Sequence, residues 1–136
     1  MTNARIVERP TLTDDALNTL FSSSWDRHER RPFGAVLAHS LTYLAAYDHE
    51  KLVGFVNVAW DGGVHAFLLD PTVLPSHRRR GVGTALVKAA ARAASLRGAE
   101  WLHVDYVPDL EPFYASVGFE TSRAGILRLR GDEAAE

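Results

Sequence analysis

The chain has 136 residues, 46% hydrophobic and 24% charged, and no cysteine, which fits one soluble domain over 1–136 with a single core and excludes a disulfide framework. Lys and Arg number 15 against 17 Asp and Glu, a formal net charge of -2, so the whole molecule exerts no long-range pull on a polyanion and nucleic acid is not an expected partner. No apolar run reaches the roughly 18 residues of a membrane span, and the opening MTNARIVERP lacks the apolar core of a secretory signal, so a cytoplasmic protein without membrane contact is expected.

Residues 4–9, ARIVER, alternate enough for a short first strand. Thr13, followed by two acids, then predicts a helix N-cap. Leu17, Leu20, Phe21 and Trp25 repeat at helical spacing before the charged loop 26–32, and a second short helix is expected near 33–39. Strands are expected at 41–47, 52–60 and from Val64 to Asp70, joined by DHEK and by the hairpin signal DGG at 61–63. Such short connections make an antiparallel meander. Pro71 and Pro75 flank the continuation of the third of these strands, and proline cannot donate to a ladder, so a bulge or a departure from one neighbour is expected there.

After Gly83 a helix is predicted, with Val82, Leu86, Ala89, Ala93 and Leu96 on its buried side and Gly98 just past its end. The strand at 100–107, reached through that helix, is expected to run parallel to its predecessor. LEPFYASV reads as a short helix, and GFE and AGILRLR read as terminal strands.

The stretch PSHRRRGVGTALV, 75–87, joins the end of a strand to a basic glycine turn and a helix start. Free backbone N–H groups converge at such a point, glycine lets a phosphate approach, and arginine adds forked donors. A Walker loop needs a lysine after its last glycine, and none follows Gly83; a dinucleotide fingerprint needs Gly or Ala where Leu86 stands. A pyrophosphate on a soluble cofactor is the remaining reading.

Val73 with Arg78-Arg79-Arg80-Gly81-Val82-Gly83 resembles the R/Q-x-x-G-x-G/A motif of the GCN5-related N-acetyltransferases, and FYASVGF at 113–119 is similar to that family's FY-x-x-x-GF signature. The resemblance implies an α/β (α+β) fold: a mixed, mostly antiparallel sheet with a splayed central parallel strand pair, flanked by helices. It implies acetyl-CoA as co-substrate, held by Val73, Leu74, Arg78, Arg79, Arg80, Gly81, Val82, Gly83 and Thr84, and no metal. It implies direct transfer to the amine of a small molecule or peptide, with the Val73 N–H polarising the thioester carbonyl and Tyr114 acting as general acid. A homodimer through the terminal strands is also implied.

The positions where family members often carry a base, six and four residues before Val73, hold Phe67 and Leu69. His65 and Asp70 are the substitutes expected from the sequence, with Asp105 a lesser one. Trp25, His28, Glu29, Trp60 and Asp61 are expected to shape the acceptor site as an aromatic and acidic cup for a cationic amine. Without a base at its usual place, a catalytically weak acyl-CoA-binding sensor or interaction module stands as the alternative.

Overall fold

A computed structural model describes residues 4–131. Its chain forms two compact units that divide between Val104 and Asp105. The first carries a five-stranded sheet in the order β1-β2-β3-β4-β5, made of β1 (Arg5–Glu8), β2 (Thr42–Asp48), β3 (Lys51–Trp60), β4 (His65–Val73) and β5 (Trp101–Val104), with helices α1 (Asp14–Ser24), α2 (Gly34–Ala38) and α3 (Val82–Leu96). The first three pairings are antiparallel; short turns require this between β2 and β3 and between β3 and β4, whereas α1 and α2 lie between β1 and β2, and β4 pairs parallel with β5 across α3.

Strand alternation assigns the two faces. On β3, Gly54 receives the Leu86 side chain of α3: a Cβ on Gly54 would lie 2.8 Å from Leu86 Cδ1. Phe55, one residue on, points the other way and meets Phe21 of α1, with ring centroids 5.8 Å apart. Val53, Val56, Val58, Ala66 and Leu68 are buried in the sheet.

Helix boundaries follow local chemistry. Thr13 Oγ1 accepts from the Ala16 N–H at 3.0 Å and starts α1. Gly98, with φ 102°, follows the end of α3, and the Ala99 N–H returns to the Ala94 carbonyl at 3.0 Å.

Several expectations need correction. Val82, Leu86 and Ala93 are buried, but Ala89 is only partly covered and Leu96 is 76% exposed; Val87, Ala90 and Ala94 complete the buried face instead. At about 100° per residue Leu96 lies about 80° around the helix from Leu86 on the side away from Val87, Ala90 and Ala94, beyond the face that meets the sheet. The expected strand at 100–107 is confined to Trp101–Val104. No strand forms over 119–129. Alternation shows which side chains a segment is able to bury, whereas a strand exists only where a ladder partner is in register; these residues pair with no described strand, and Ile126, Leu127 and Leu129 are exposed.

The irregularity expected around Pro71 is present. Phe55 pairs with Thr72 and Asn57 with Leu69, so Asp70 and Pro71 together face the single residue Val56. Asp70 takes φ 55° to make this bulge. The parallel ladder with β5 ends at Leu68–Val104, and among the described residues Leu69–Val73 have β3 as their only strand partner.

The second unit contains a 3-10 turn at Pro108–Leu110 and helix α4 (Glu111–Ser116), where the short helix was expected.

Candidate functional site

Between the end of β4 and the start of α3, the chain makes a 3-10 turn at Pro75–His77 and a loop through Gly81, which caps α3 in the left-handed region at φ 83°. Arg79 is also left-handed, at φ 64°. Two successive turns of this kind orient consecutive N–H groups toward one side. Among the described residues, no backbone N–H from Arg79 to Thr84 has an acceptor, and neither the Arg79 nor the Arg80 guanidinium makes a hydrogen bond or ion pair. Six free donors and two unpaired cations at the positive end of a 15-residue helix are an arrangement suited to an anion.

The loop is held from behind. The Leu74 N–H donates to the Val53 carbonyl at 2.9 Å, and the Leu74 carbonyl accepts from the His77 N–H at 2.9 Å. His77 Nε2 donates to Asp48 Oδ2 at 2.8 Å, which leaves Nδ1 to accept from Ser76 Oγ at 2.8 Å. The Asp48 carboxyl is held below the usual carboxylate range by the hydrogen bonds of His77 and then His49. Arg78 differs from its two neighbours. Its Nε donates to the Val73 carbonyl at 3.1 Å and its terminal NH2 group to the Ser24 carbonyl at the end of α1 at 3.2 Å. Of the three arginines, Arg78 therefore braces strand, loop and helix, while the Arg79 and Arg80 guanidinium groups make no hydrogen bond or ion pair among the described residues.

His65, Phe67 and Leu69 share the α1 face of β4, because Ala59 pairs with Phe67 and Asn57 with Leu69. Phe67 is 37% and Leu69 42% exposed. His65 Nδ1 lies 2.9 Å from Nε2 of His103 on β5, and the His103 ring stacks on Phe67 with centroids 4.8 Å apart. His103 is a residue that sequence reasoning missed; its one signal was the period of two that sets it on a face with Trp101.

Asp70 is half-buried at the bulge, and burial pushes its carboxyl above the usual carboxylate range, opposed by the charge of Arg31. An acid with a raised folded value contributes stability that is fully present below its unfolded value of about 3.9 and is lost as pH rises through the folded value. Asp70→Asn removes the buried charge and suits φ 55°. Its urea midpoint is expected to exceed that of the parent chain at pH 7 and to match it near pH 3; a lower midpoint at pH 7 contradicts this.

The residues expected to form an acceptor cup fall into two groups. Trp25 stacks on Phe21 with centroids 4.2 Å apart, and His28 packs edge-on to both. His28 Nε2 donates to Asn18 Oδ1 at 2.7 Å, while Asn18 Nδ2 donates to the Asp14 and Arg31 carbonyls, so this loop is tied to α1. Glu29 is exposed in the same loop. Trp60 and Asp61 lie at the β3–β4 hairpin, where Asp61 Oδ1 accepts from the Gly63 N–H at 2.7 Å and the His65 N–H at 3.3 Å. Trp60 is on the α3 side of the sheet, opposite to Phe55 and its partners, so the two groups are not brought together.

In the second unit Tyr114 is buried in an aromatic cluster. Its ring stacks on Tyr106 at 4.8 Å and meets Phe113 and Phe119 edge-on at 4.9 and 5.6 Å. Its hydroxyl has no hydrogen-bond partner among the described residues, and burial pushes the phenol above its ordinary value. Asp105 is exposed at the start of this unit. No cluster of three or more His, Cys, Asp or Glu side chains suited to a metal occurs among the described residues. Nor is any described helix long and apolar enough to cross a membrane.

The family model described as Acetyltransferase (GNAT) family matches residues 11–119. A mycothiol acetyltransferase of Nocardia farcinica is 36% identical over 80 residues, 59% of this chain and 26% of the relative, so the match spans about a quarter of that protein's length. Among solved structures, a GNAT-family acetyltransferase of Streptococcus pneumoniae superposes with a TM-score of 0.75 at 24% identity, covering 95% of this chain and 99% of that one. The aminoglycoside N-acetyltransferase AAC(6')-Iy, solved in complex with CoA, gives a TM-score of 0.72 at 21% identity, with 93% and 95% covered.

Proposed function

Because the chain belongs to the GNAT family of acetyltransferases, we propose that it transfers the acetyl group of acetyl-CoA to a primary amine of a small molecule or peptide. The observation that carries this reading is the run of six unpaired N–H groups from Arg79 to Thr84. A pyrophosphate bears several negative oxygens within a few ångströms, which such a run of converging donors is shaped to receive. Arg79 and Arg80 add charge-assisted contacts without disturbing a structural bond.

Bound acetyl-CoA supplies an activated thioester. Beyond Leu68 the backbone of β4 has no β5 partner, and on the family likeness the Val73 backbone is assigned to the pantetheine amides and its N–H to the thioester carbonyl, with Leu74 beside it. A backbone donor aimed at a developing oxyanion is worth about 2.7 to 4 kcal/mol in acyl transfer. The amine attacks directly, a route with which the absence of cysteine is compatible. Tyr114 is assigned the proton that the departing thiolate takes up, and β4 contributes two titratable side chains for the proton leaving the amine, His65 and Asp70.

Calorimetry of acetyl-CoA binding tests the reading. Arg79→Ala and Arg80→Ala are each expected to weaken binding about tenfold, the loss of one charge-assisted contact at about 1.4 kcal/mol. The difference should shrink at 1 M salt. No binding by the parent chain at millimolar acetyl-CoA sinks the proposal. Tight binding with no thiol release across a broad amine panel would instead favour the sensor or interaction module.

A further inference from the structure

β4 and β5 part company after the pair Leu68–Val104, and the last β5 residue before that point on the open α1 face is His103. Its register partner is Phe67, and its ring lies against the Phe67 ring at an interplanar angle of 18°. His65 sits diagonally behind it with Nδ1 2.9 Å from His103 Nε2. The side chains around the pair on this face, Ala59 and Asn57 of β3, Leu69 of β4 and Trp101 of β5, are uncharged. The charged group beside it is Asp61 at the hairpin, which accepts from the His65 N–H and is attracted to a protonated His65 ring.

Two neutral imidazoles joined by one hydrogen bond share three constraints. One N–H lies between them, one outer nitrogen carries the second N–H, and the other outer nitrogen keeps a lone pair. Among the described residues neither outer nitrogen, His103 Nδ1 nor His65 Nε2, has a hydrogen-bond partner. The pair is therefore able to accept a proton at one end and release one at the other without changing its net charge.

Resting on the acetyl-transfer reading, we propose that His103 is the catalytic base, taking the amine proton at Nδ1, and that His65 is a positioning residue that sets the His103 tautomer and passes a proton on to water. The amine N–H bond breaks and an N–H bond forms at His103 Nδ1. The proton on His103 Nε2 moves to His65 Nδ1, and the proton on His65 Nε2 leaves to solvent. Asp61 steadies the charge that passes through His65. A base on the neighbouring strand, stacked over Phe67, thus supplies what Phe67 itself is unable to.

The test uses the full chain, with acetyl-CoA saturating and thiol release as the readout. His103→Gln is expected to lower kcat about 100-fold, within the range of general-base catalysis, with acetyl-CoA affinity and the KM for the amine within threefold of the parent and part of the loss restored by added imidazole. His65→Gln is expected to cost about tenfold in kcat. In long-range 1H–15N spectra of the parent chain, His103 should hold a single Nε2–H tautomer that becomes mixed in His65→Gln. A kcat for His103→Gln within threefold of the parent, or a mixed His103 tautomer in the parent, overturns the assignment. Loss of activity in Asp70→Asn together with its survival in His103→Gln gives the base role to Asp70. A parent chain that binds acetyl-CoA and acetylates no amine overturns the acetyl-transfer reading itself, and the base with it, even where the tautomer of His103 is single.

Discussion

Tyr114→Phe is expected to lower kcat for acetyl transfer about 100- to 1,000-fold and to leave acetyl-CoA affinity within threefold. The substitution removes one oxygen and keeps the ring that stacks on Tyr106 and meets Phe113 and Phe119, so packing is preserved. No described residue is hydrogen-bonded to the hydroxyl, which is not fully enclosed, so stability should change by no more than about 0.5 kcal/mol. On the proposed mechanism, what is lost is the proton for the departing thiolate, whose conjugate acid has a value of about 8.5 against about 10 for a phenol. Burial raises the Tyr114 phenol further. The group therefore stays protonated across the neutral range, and the alkaline fall of kcat assigned to it belongs above about pH 10. Single-turnover kinetics with thiol release separate this step from binding. An unchanged kcat removes Tyr114 from the mechanism.

The largest loss of stability is expected from Leu86→Ala, about 2 to 5 kcal/mol by urea denaturation. Leu86 is 1% exposed and fills the space that Gly54 leaves open: an added Cβ there would lie 2.8 Å from Leu86 Cδ1 and 3.2 Å from both Ala46 Cβ and the Thr72 carbonyl oxygen. Gly54→Ala alone is expected to cost about 1 to 3 kcal/mol through overpacking. In the Leu86→Ala background the same methyl enters the vacated volume, so the double variant should be more stable than the sum of the two losses by more than about 0.5 kcal/mol. Strict additivity would show that the two residues do not share one site. Function follows packing here, because Gly54 pairs with Val73 at the end of β4 and Leu86 belongs to the first turns of α3. Loosening that contact displaces the loop donors from the strand, and acetyl-CoA affinity should fall with stability.

The loop at 78–84, the Thr13 cap, the meander, the hairpin at Asp61 and the bulge beside Pro71 were all legible from the residues. Each rests on an interaction that closes within a few positions or on the absence of a donor at a proline. The helical face of α3 was legible in part. Periodicity finds the stripe, but its width depends on what the sheet covers, and Leu96 falls outside that width. The terminal strands illustrate the opposite limit. Their alternation is present in Leu127-Arg128-Leu129-Arg130, yet no described strand pairs with them.

By itself the sequence determined the basic glycine turn at the start of α3, because glycine at positive φ, an arginine run and a helix start are local properties of consecutive residues. It also determined the antiparallel meander of β2, β3 and β4 through connection length. Only the tertiary structure decided which arginine is structural, since Arg78 reaches Ser24 across 54 residues. It likewise set Trp25 and His28 apart from Trp60 and Asp61, and brought His65 to His103 across 38. The physical reason is common to these cases. Side-chain partnerships across a sheet follow strand register, and register is settled by the whole core at once rather than by any stretch of chain.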